Sequence, residues 1–431
     1  MLNWTDMDDA ARGATLARPI APADGGVARQ VADIFTAVER GGDATLRELT
    51  SKFDGCTLKD LLYAPSLDTA QLDNNARKAI ETAMRNIRAF HQRQKPQDYE
   101  VEVQSGVICQ RRYVPMQRVG LYIPGGTAPL FSTLLMLVIP AQIAGVGEIL
   151  LASPPRENGR VDPVIEDVAA MLGVKTIMPV GGAQAIAAMA MGTETIRPVD
   201  KIFGPGNIWV TEAKKYASAL TGGPAIDMPA GPSEVLVIAD GDANAEFVAS
   251  DLLSQAEHDP LAQSILLSTS IDLIKAVTAA LDRQVRALSR SDILARSRGN
   301  IRMILCANLD EAMAISNAYA PEHLIINTAN CRDLLLGVCN AGSVFLGPWS
   351  TESAGDYASG TNHVLPTAGA ARAYSGLGVD AFMKSITVQE LSADGLKTLG
   401  PVVSELARME GLDGHAASVD LRLSKLKGAA S

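Results

Sequence analysis

Four of the five histidines in this chain sit inside short polar motifs. His258 lies in Ser254-Gln-Ala-Glu-His-Asp, His323 in Pro321-Glu-His-Leu, His363 at the end of Gly355-Asp-Tyr-Ala-Ser-Gly-Thr-Asn-His, and His415 in Gly411-Leu-Asp-Gly-His. His91 alone has no such setting. Imidazole is the commonest protein ligand for a metal and the side chain that titrates nearest neutral pH. The two chemistries open to these motifs are therefore metal binding and proton transfer. The motifs stand about 40 to 65 residues apart, so a shared site has to be assembled by the fold. The local zinc spellings, paired C-x-x-C or H-E-x-x-H on one helix, are absent.

Each motif has a chemical reading and a plain one. If residues 243–258 form a helix, Val248, Ala249, Leu252, Leu253 and Ala256 share one arc, and Asp251, Ser254, Gln255 and His258 share the opposite arc. Gln255 and His258, three apart, can then point at one ion; a solvated helix face explains the same pattern equally well. Glu322 and His323 stand together between a helical stretch and an apolar strand, where a His beside a carboxylate makes an acid/base pair. A capped turn with two exposed polar residues is the alternative there. Residues 352–363 read as a long glycine-rich polar loop, of the kind that often carries function on a rigid scaffold. Asp356 offers a hard oxygen ligand in it, and His363 a hydrogen-bond partner behind the ligands. Glu410 and His415 lie five apart in the tail, across a turn containing Gly411 and Gly414, and carry little meaning by themselves. The cysteines, Cys56, Cys109, Cys306, Cys331 and Cys339, are odd in number and far apart, which argues against a disulfide framework and for a reducing cytoplasm. None lies in a nucleophile-like turn, which argues against a covalent thiol mechanism.

The elements that must position these residues show in the apolar periodicity. Residues 1–105 read as helical, with helices over Val27–Gly41 and Thr69–Lys95 forming an outer layer. From 106 to 233, short apolar strands at Val107–Arg112, Arg118–Ile123, Ile149–Ser153, Thr176–Val180 and Lys201–Phe203 alternate with helical stretches. A second round runs from 234 to 370, with strands near Glu234–Ala239, Ser264–Thr269, Arg302–Leu305, Leu324–Asn327 and Ser343–Leu346. Such alternation predicts an α/β fold with parallel sheets, here two rounds of one unit. Residues 371–431 form a tail with a helix near Leu391–Met409 and a last segment at Ala417–Leu426. Glycine turns follow the strands at Gly125-Gly126, Gly181-Gly182 and Gly204-Pro-Gly-Asn207, and Ala230-Gly-Pro-Ser233 precedes the second round. These suit ligands at carboxyl strand ends, although plain tight turns explain them too and the G-x-G-x-x-G fingerprint is missing. A dinucleotide bound there would lack the usual pyrophosphate loop, and a modest affinity is expected.

Composition narrows the class further. An apolar fraction of 47% and a charged fraction of 20% suit a compact soluble enzyme. A net charge of -10 excludes a phosphate-backbone binder, which needs clustered Lys and Arg, so no nucleic-acid partner is expected. The acidic N-terminus has no secretory pattern. The most apolar run, Leu130–Ala152, is broken by Gly145 and Gly147 and reads as a buried helix followed by a buried strand rather than a membrane span.

Seven segments, in order, resemble the histidinol dehydrogenase family. They are Gly120-Leu-Tyr-Ile-Pro-Gly-Gly-Thr-Ala-Pro-Leu, Val180-Gly-Gly-Ala-Gln-Ala-Ile, Lys201-Ile-Phe-Gly-Pro-Gly-Asn, Asp227-Met-Pro-Ala-Gly-Pro-Ser-Glu, Asp251-Leu-Leu-Ser-Gln-Ala-Glu-His, Ala320-Pro-Glu-His-Leu and Ser353-Ala-Gly-Asp-Tyr-Ala-Ser-Gly-Thr-Asn-His-Val-Leu-Pro-Thr. The resemblance covers nearly the whole chain and is densest from about 105 to 390. It implies two incomplete Rossmann-like parallel-sheet domains of the aldehyde dehydrogenase-like class, and a homodimer that exchanges its C-terminal tails so that active sites are shared. It implies a zinc ion, Zn2+, held by Gln255, His258, Asp356 and the His415 of the partner subunit, with the substrate L-histidinol completing the shell. By the same resemblance Glu322 activates water and His323 is the general acid/base. Ser233, Gln255, His258, His323, Asp356, Glu410 and His415 match substrate-contacting positions, and Tyr122, Gln184 and Asn207 match positions that contact NAD. Gly414 departs mildly from the family pattern, where Ala is expected; it loosens the turn and leaves the ligand. The implied reaction carries an alcohol through an aldehyde to an acid, the last steps of histidine biosynthesis.

Three rivals remain open at this level. A dehydrogenase of the same superfamily acting on another small alcohol would keep the zinc ligands and change Ser233 or Glu410. A thiol-dependent aldehyde dehydrogenase would need a cysteine nucleophile. A non-catalytic metal-binding protein would not need the Glu322-His323 pair.

Overall fold

The structure, a computed structural model, describes residues 2–19, 25–67, 69–70, 72–125, 130–228 and 231–428. Gly126 and Ala230, within two of the glycine motifs above, lie outside the described residues. In chain order the strands are β1 (Leu2–Asn3), β2 (Tyr99–Gln104), β3 (Val107–Pro115), β4 (Arg118–Tyr122), β5 (Glu148–Ala152), β6 (Thr176–Met178), β7 (Lys201–Phe203), β8 (Ala225–Ile226), β9 (Glu234–Ala239), β10 (Gln263–Ser268), β11 (Ile301–Leu305), β12 (His323–Asn327), β13 (Ser343–Leu346) and β14 (Met383–Leu391).

They form two parallel sheets and one antiparallel sheet. The first parallel sheet has the order β6-β5-β4-β7-β8, and the second β1-β11-β10-β9-β12-β13. Counted from β4 in one and β9 in the other, both read 3-2-1-4-5. The duplicated round expected from the sequence is present as a repeated topology. The central strands β4, β9, β10 and β12 are buried along their whole length. That follows from helices covering both faces of a parallel sheet, and it explains why these strands read as continuous apolar runs. The helix Phe131–Ala144 is apolar nearly all round and packs inside this layering, followed by the buried β5. Among the described residues no helix is long and apolar enough to cross a membrane.

The third sheet, β14-β3-β2, joins the tail to the start of the first round. It corrects the expectation that residues 1–105 are helical, and it adds a strand ahead of the tail helix expected near Leu391–Met409. β2 is Tyr-Glu-Val-Glu-Val-Gln, a period-2 alternation, and β1 is too short for periodicity to register. The N-terminal layer otherwise holds. Its first long helix runs over Gly25–Asp54 and passes Gly41 by kinking at Gly42, where φ is +49°. The next is Asn74–His91, capped by the Asp73 carboxylate. In the tail, helices Ala393–Met409 and Asp413–Gly428 pack on each other.

Candidate active site

Two cavities open beside the carboxyl ends of the first sheet, and one of them also reaches the amino ends of the second. The smaller, about 210 Å³, is lined by Thr133, Gly204 and Asp227 from the first half, and by Ser233, Gln255, His258, Glu322, His323, Asp356 and His363 from the second. Seven of the sequence motif residues thus converge. Carboxyl strand ends supply ligand-facing loops in the first sheet, as expected for such sheets. In the second sheet the site lies at the opposite edge, because His323 opens β12 and Ser233 precedes β9.

Local folding explains each placement. The helix Ala245–Ala256, capped by Asn244, stops short of His258, which sits in the turn beyond it with its amide on the Gln255 carbonyl. Gln255 is fully buried, so the solvated-face reading of this helix fails: residues from the 352–363 segment cover the polar arc. The helix Leu309–Tyr319 ends at Ala320 in the left-handed region, φ 56°, and Pro321 follows; this turn swings Glu322 and His323 inward, where both are buried. The segment read as a loop begins as a short helix, Glu352–Tyr357, which places Glu352 and Asp356 on its inner side. His363 then ties the segment down. Its Nδ1 lies 2.8 Å from the Asp356 carbonyl and its Nε2 3.2 Å from the Thr133 hydroxyl.

The Glu322-His323 pair rests on one residue. The Glu234 amide donates to Glu322 Oε2 at 2.8 Å, and His323 Nδ1 donates to the Glu234 carbonyl at 3.1 Å. His323 Nε2 has no hydrogen-bond partner and lies 3.7 Å from Asp356 Oδ1, an ionic contact longer than a hydrogen bond. Burial would lower the His323 pKa, but the surrounding Glu352, Glu322 and Asp356 carboxylates hold it up at about 10. Burial pushes Glu322 up to about 7, against the opposing pull of His323 and the Glu234 amide. Burial also drives Glu352 well above the usual carboxylate range. Asp356 goes the other way: burial would raise it, but the neighbouring imidazoles of His323, His363 and His258 hold it low. Burial among the neighbouring side chains lowers the His258 pKa, although the residue is exposed on its outer side, and burial lowers that of His363. The pocket therefore separates an acid form from ionised groups within a few ångströms, the arrangement that proton transfer requires.

A cation fits one corner of this pocket. Ligand atoms of His258, Glu352 and Asp356 lie within 4.8 Å of one another. Both amide atoms of Gln255 and Oε2 of Glu352 are buried with no hydrogen-bond partner. An imidazole, a carboxylate and an amide oxygen form a mixed N/O donor set, which a borderline ion accepts. Glu352 escaped sequence reasoning as a separate site residue; its spacing of four from Asp356 on one helix face was the available signal. Glu410 and His415 do not reach this pocket within the chain. Glu410 ends the helix Ala393–Met409, His415 opens the next, and both are exposed.

The larger cavity, about 700 Å³, is lined by Tyr122, Gln184 and Asn207 together with Asp54, Gly182 and Trp209. The Gly182 amide donates to the Tyr122 hydroxyl at 3.0 Å, and Asn207 caps the helix Ile208–Ala219 through bonds to the Trp209 and Val210 amides. The loop Gly204–Asn207 borders both cavities. Gly204 has φ +115°, and a Cβ there would lie 2.0 Å from the Tyr122 carbonyl oxygen, so only glycine lets this loop lie against β4. All five cysteines are free.

Known proteins resemble the chain over nearly its whole length. The family model described as histidinol dehydrogenase matches residues 20–423. Histidinol dehydrogenase of Vibrio parahaemolyticus is 49% identical over 430 residues, covering 98% of each chain. That of Mannheimia succiniciproducens is 50% identical over 429 residues, covering 99% of each. The crystal structure of histidinol dehydrogenase from Elizabethkingia anophelis matches with a TM-score of 0.94 at 44% identity, over 99% of this chain and 98% of that one. With matches of this length and depth, the chain belongs to the histidinol dehydrogenase family.

Proposed function

We propose that the chain oxidises L-histidinol through L-histidinaldehyde to L-histidine, with NAD as hydride acceptor and Zn2+ as resident metal. The observation that carries this reading is the convergence of Gln255, His258 and Asp356 with the Glu322-His323 pair, one loop away from a larger cavity of about 700 Å³. The 3-2-1-4-5 order of the first sheet is that of dinucleotide-binding sheets, and supports a Rossmann-like reading of both halves. Tyr122, Gln184 and Asn207 then contact NAD, and the first turn of the helix Gly182–Met191, which has no side-chain cap, offers amides to the pyrophosphate. The domain division that follows is 1–105, 106–233, 234–370 and 371–431, in an aldehyde dehydrogenase-like arrangement.

His323 takes the proton from the substrate hydroxyl at Nε2, the ring nitrogen free of other bonds, once a bound cation offsets the Asp356 and Glu352 charges that otherwise keep the imidazole protonated, while Nδ1 stays anchored on Glu234. The carbinol carbon gives a hydride to NAD. Glu322 then removes a proton from water, whose oxygen adds to the aldehyde carbon while His323 returns its proton to the former carbonyl oxygen, giving the hydrate. His323, neutral again, takes a proton from this hydrate as a second hydride leaves to a second NAD, and the acid that remains loses its proton to solvent to give the carboxylate. Gln255, His258, Asp356 and His415 of the partner subunit would hold the zinc ion, which supplies a Lewis acid that orients the substrate's imidazole and amine. Ser233, Glu410 and His415 complete the substrate contacts. The polar side chains of this pocket recognise a small cationic alcohol, and a homodimer in the cytoplasm is the proposed setting.

The test is NADH absorbance on mixing zinc-loaded protein with L-histidinol. Two equivalents of NADH per substrate are expected; none, or a single one, would reject the reading. His323→Asn should lower kcat by about 10²- to 10⁴-fold with bound zinc unchanged.

A further inference from the structure

From the N-terminal layer, Arg18 reaches the supports of the Glu322-His323 pair. Arg18 lies just beyond the helix Asp9–Leu16. Its Nε donates to Glu234 Oε1 at 2.5 Å and its Nη2 to Glu234 Oε2 at 3.0 Å, a bidentate pair. The same Nη2 donates to the Tyr319 carbonyl at 2.8 Å and reaches the Ala320 carbonyl at 3.5 Å. The guanidinium also stacks on the Tyr319 ring, 3.9 Å from its centroid. Around it, the Tyr319 hydroxyl donates to Gln263 Oε1, and the Gln263 amide donates back to the Ala17 carbonyl at 3.1 Å.

These contacts bracket the Glu322-His323 pair. On one side Arg18 fixes the side chain of Glu234, whose backbone amide and carbonyl hold Glu322 and His323. On the other it fixes Tyr319 and Ala320, the turn that delivers the pair, at a non-glycine residue in the left-handed region. A further tie on the Glu234 carboxylate is the Ala368 amide, at 2.9 Å. The Glu234 side chain is 4% exposed, so without Arg18 its charge would be buried beside the Glu322 carboxylate with no cation to offset it. Only the planar fork of an arginine meets a carboxylate bidentately and two carbonyls at once.

We infer that Arg18 is a positioning residue for the reaction, clamping Glu234 against the Tyr319-Ala320 turn so that Glu322 and His323 keep the geometry for proton transfer. The inference rests on the reading of Glu322 and His323 given above. A shift of about 1 Å in such a pair costs on the order of 10²-fold in rate.

The experiment compares Arg18→Ala, Arg18→Met and Arg18→Lys with the unaltered protein, zinc-loaded and well below each melting temperature. Arg18→Ala and Arg18→Met should lower kcat about 10- to 100-fold with KM for NAD unchanged, because the cofactor cavity is lined by none of these residues. Arg18→Lys should retain an intermediate kcat, and added ethylguanidine should raise kcat of Arg18→Ala while leaving Arg18→Met unaffected. A kcat within twofold of the unaltered protein, or no response to ethylguanidine, overturns the inference. A crystal structure of Arg18→Met decides the geometry without reference to any substrate. Loss of the Glu234 contacts to Glu322 or His323 supports the clamp; their retention overturns it, whatever the fate of the histidinol assay.

Discussion

Gln255 and Asp251 occupy one helix, one turn apart, and each is held in a position that the protein without ligand does not favour. A buried amide with neither atom bonded costs on the order of 1–3 kcal/mol, which a ligand at that point would recover. Asp251 is buried and its carboxyl is pushed up to about 6. The sign of its pH effect follows. Because the folded value lies above the unfolded 3.8, folding favours the protonated form, and the stability it contributes is complete below about pH 4 and lost as pH rises through about 6. The shift corresponds to about 3 kcal/mol. Asp251→Asn should therefore be more stable than the unaltered protein at pH 7.5 by up to that order, and near parity at pH 4. Thermal melts across this range, on metal-free protein, check it; a difference independent of pH would sink it. The residue types of this site were legible in the sequence, whereas their burial was not. Helical phase identifies the polar arc of 243–258, but what covers that arc depends on residues about 100 positions downstream. Arg18 was illegible for the same reason, since nothing local distinguishes it from any other arginine near a helix end.

At the scale of elements, the central strands were readable because burial on both faces leaves unbroken Val, Ile and Leu runs. β14 was not. Its Met-Lys-Ser-Ile-Thr-Val-Gln-Glu-Leu is mostly exposed, and its pairing partner β3 lies about 270 residues earlier, so no local pattern announces it. The segment carrying Asp356 also depends on a distant element, the helix Asn74–His91. Asn86 donates to the Ala358 carbonyl at 2.8 Å. His91, fully buried, donates from Nδ1 to the Ile87 carbonyl at 2.8 Å, which leaves Nε2 to accept from the Asn362 amide at 3.2 Å. That same amide donates to the Met136 carbonyl. The histidine without a motif thus joins Asn86 and Thr133 in anchoring the site segment to the rest of the fold. Asn362→Ala leaves a buried imidazole nitrogen unpaired, a loss of about 1–3 kcal/mol in stability. It also frees the stretch next to His363, whose bond to the Asp356 carbonyl orients that ligand. Zinc affinity, measured by competition with a chelator, should fall about 10- to 100-fold, as expected when the supports of a metal ligand are removed. A lower melting temperature with unchanged zinc affinity would show that Asp356 is oriented without this anchor.

The whole molecule places Glu410 and His415 outside the pocket that their residue types suit. Within the single chain they stand exposed on the tail, whose helices also expose Val402, Val403, Leu406, Met409 and Leu421. Apolar side chains spaced along one surface in this way call for cover. A second copy related by a two-fold axis would bury this face and carry each tail to the other subunit, so that each pocket gains His415 and Glu410 from its neighbour. Complementation separates this arrangement from one in which the tail folds back on its own chain. A protein truncated before Glu410 keeps Glu322 and His323 but cannot supply a tail; the His323→Asn protein supplies a tail but cannot transfer the proton. Each should be nearly inactive alone. Unfolded together in equal amounts and refolded, they should form mixed dimers in which one pocket is whole, with its acid/base pair from the truncated chain and its tail from the other. Random pairing makes mixed dimers about half of the population, so about a quarter of the pockets should be active. If tails serve their own chain, every pocket lacks one component and mixing restores nothing, however well the subunits associate.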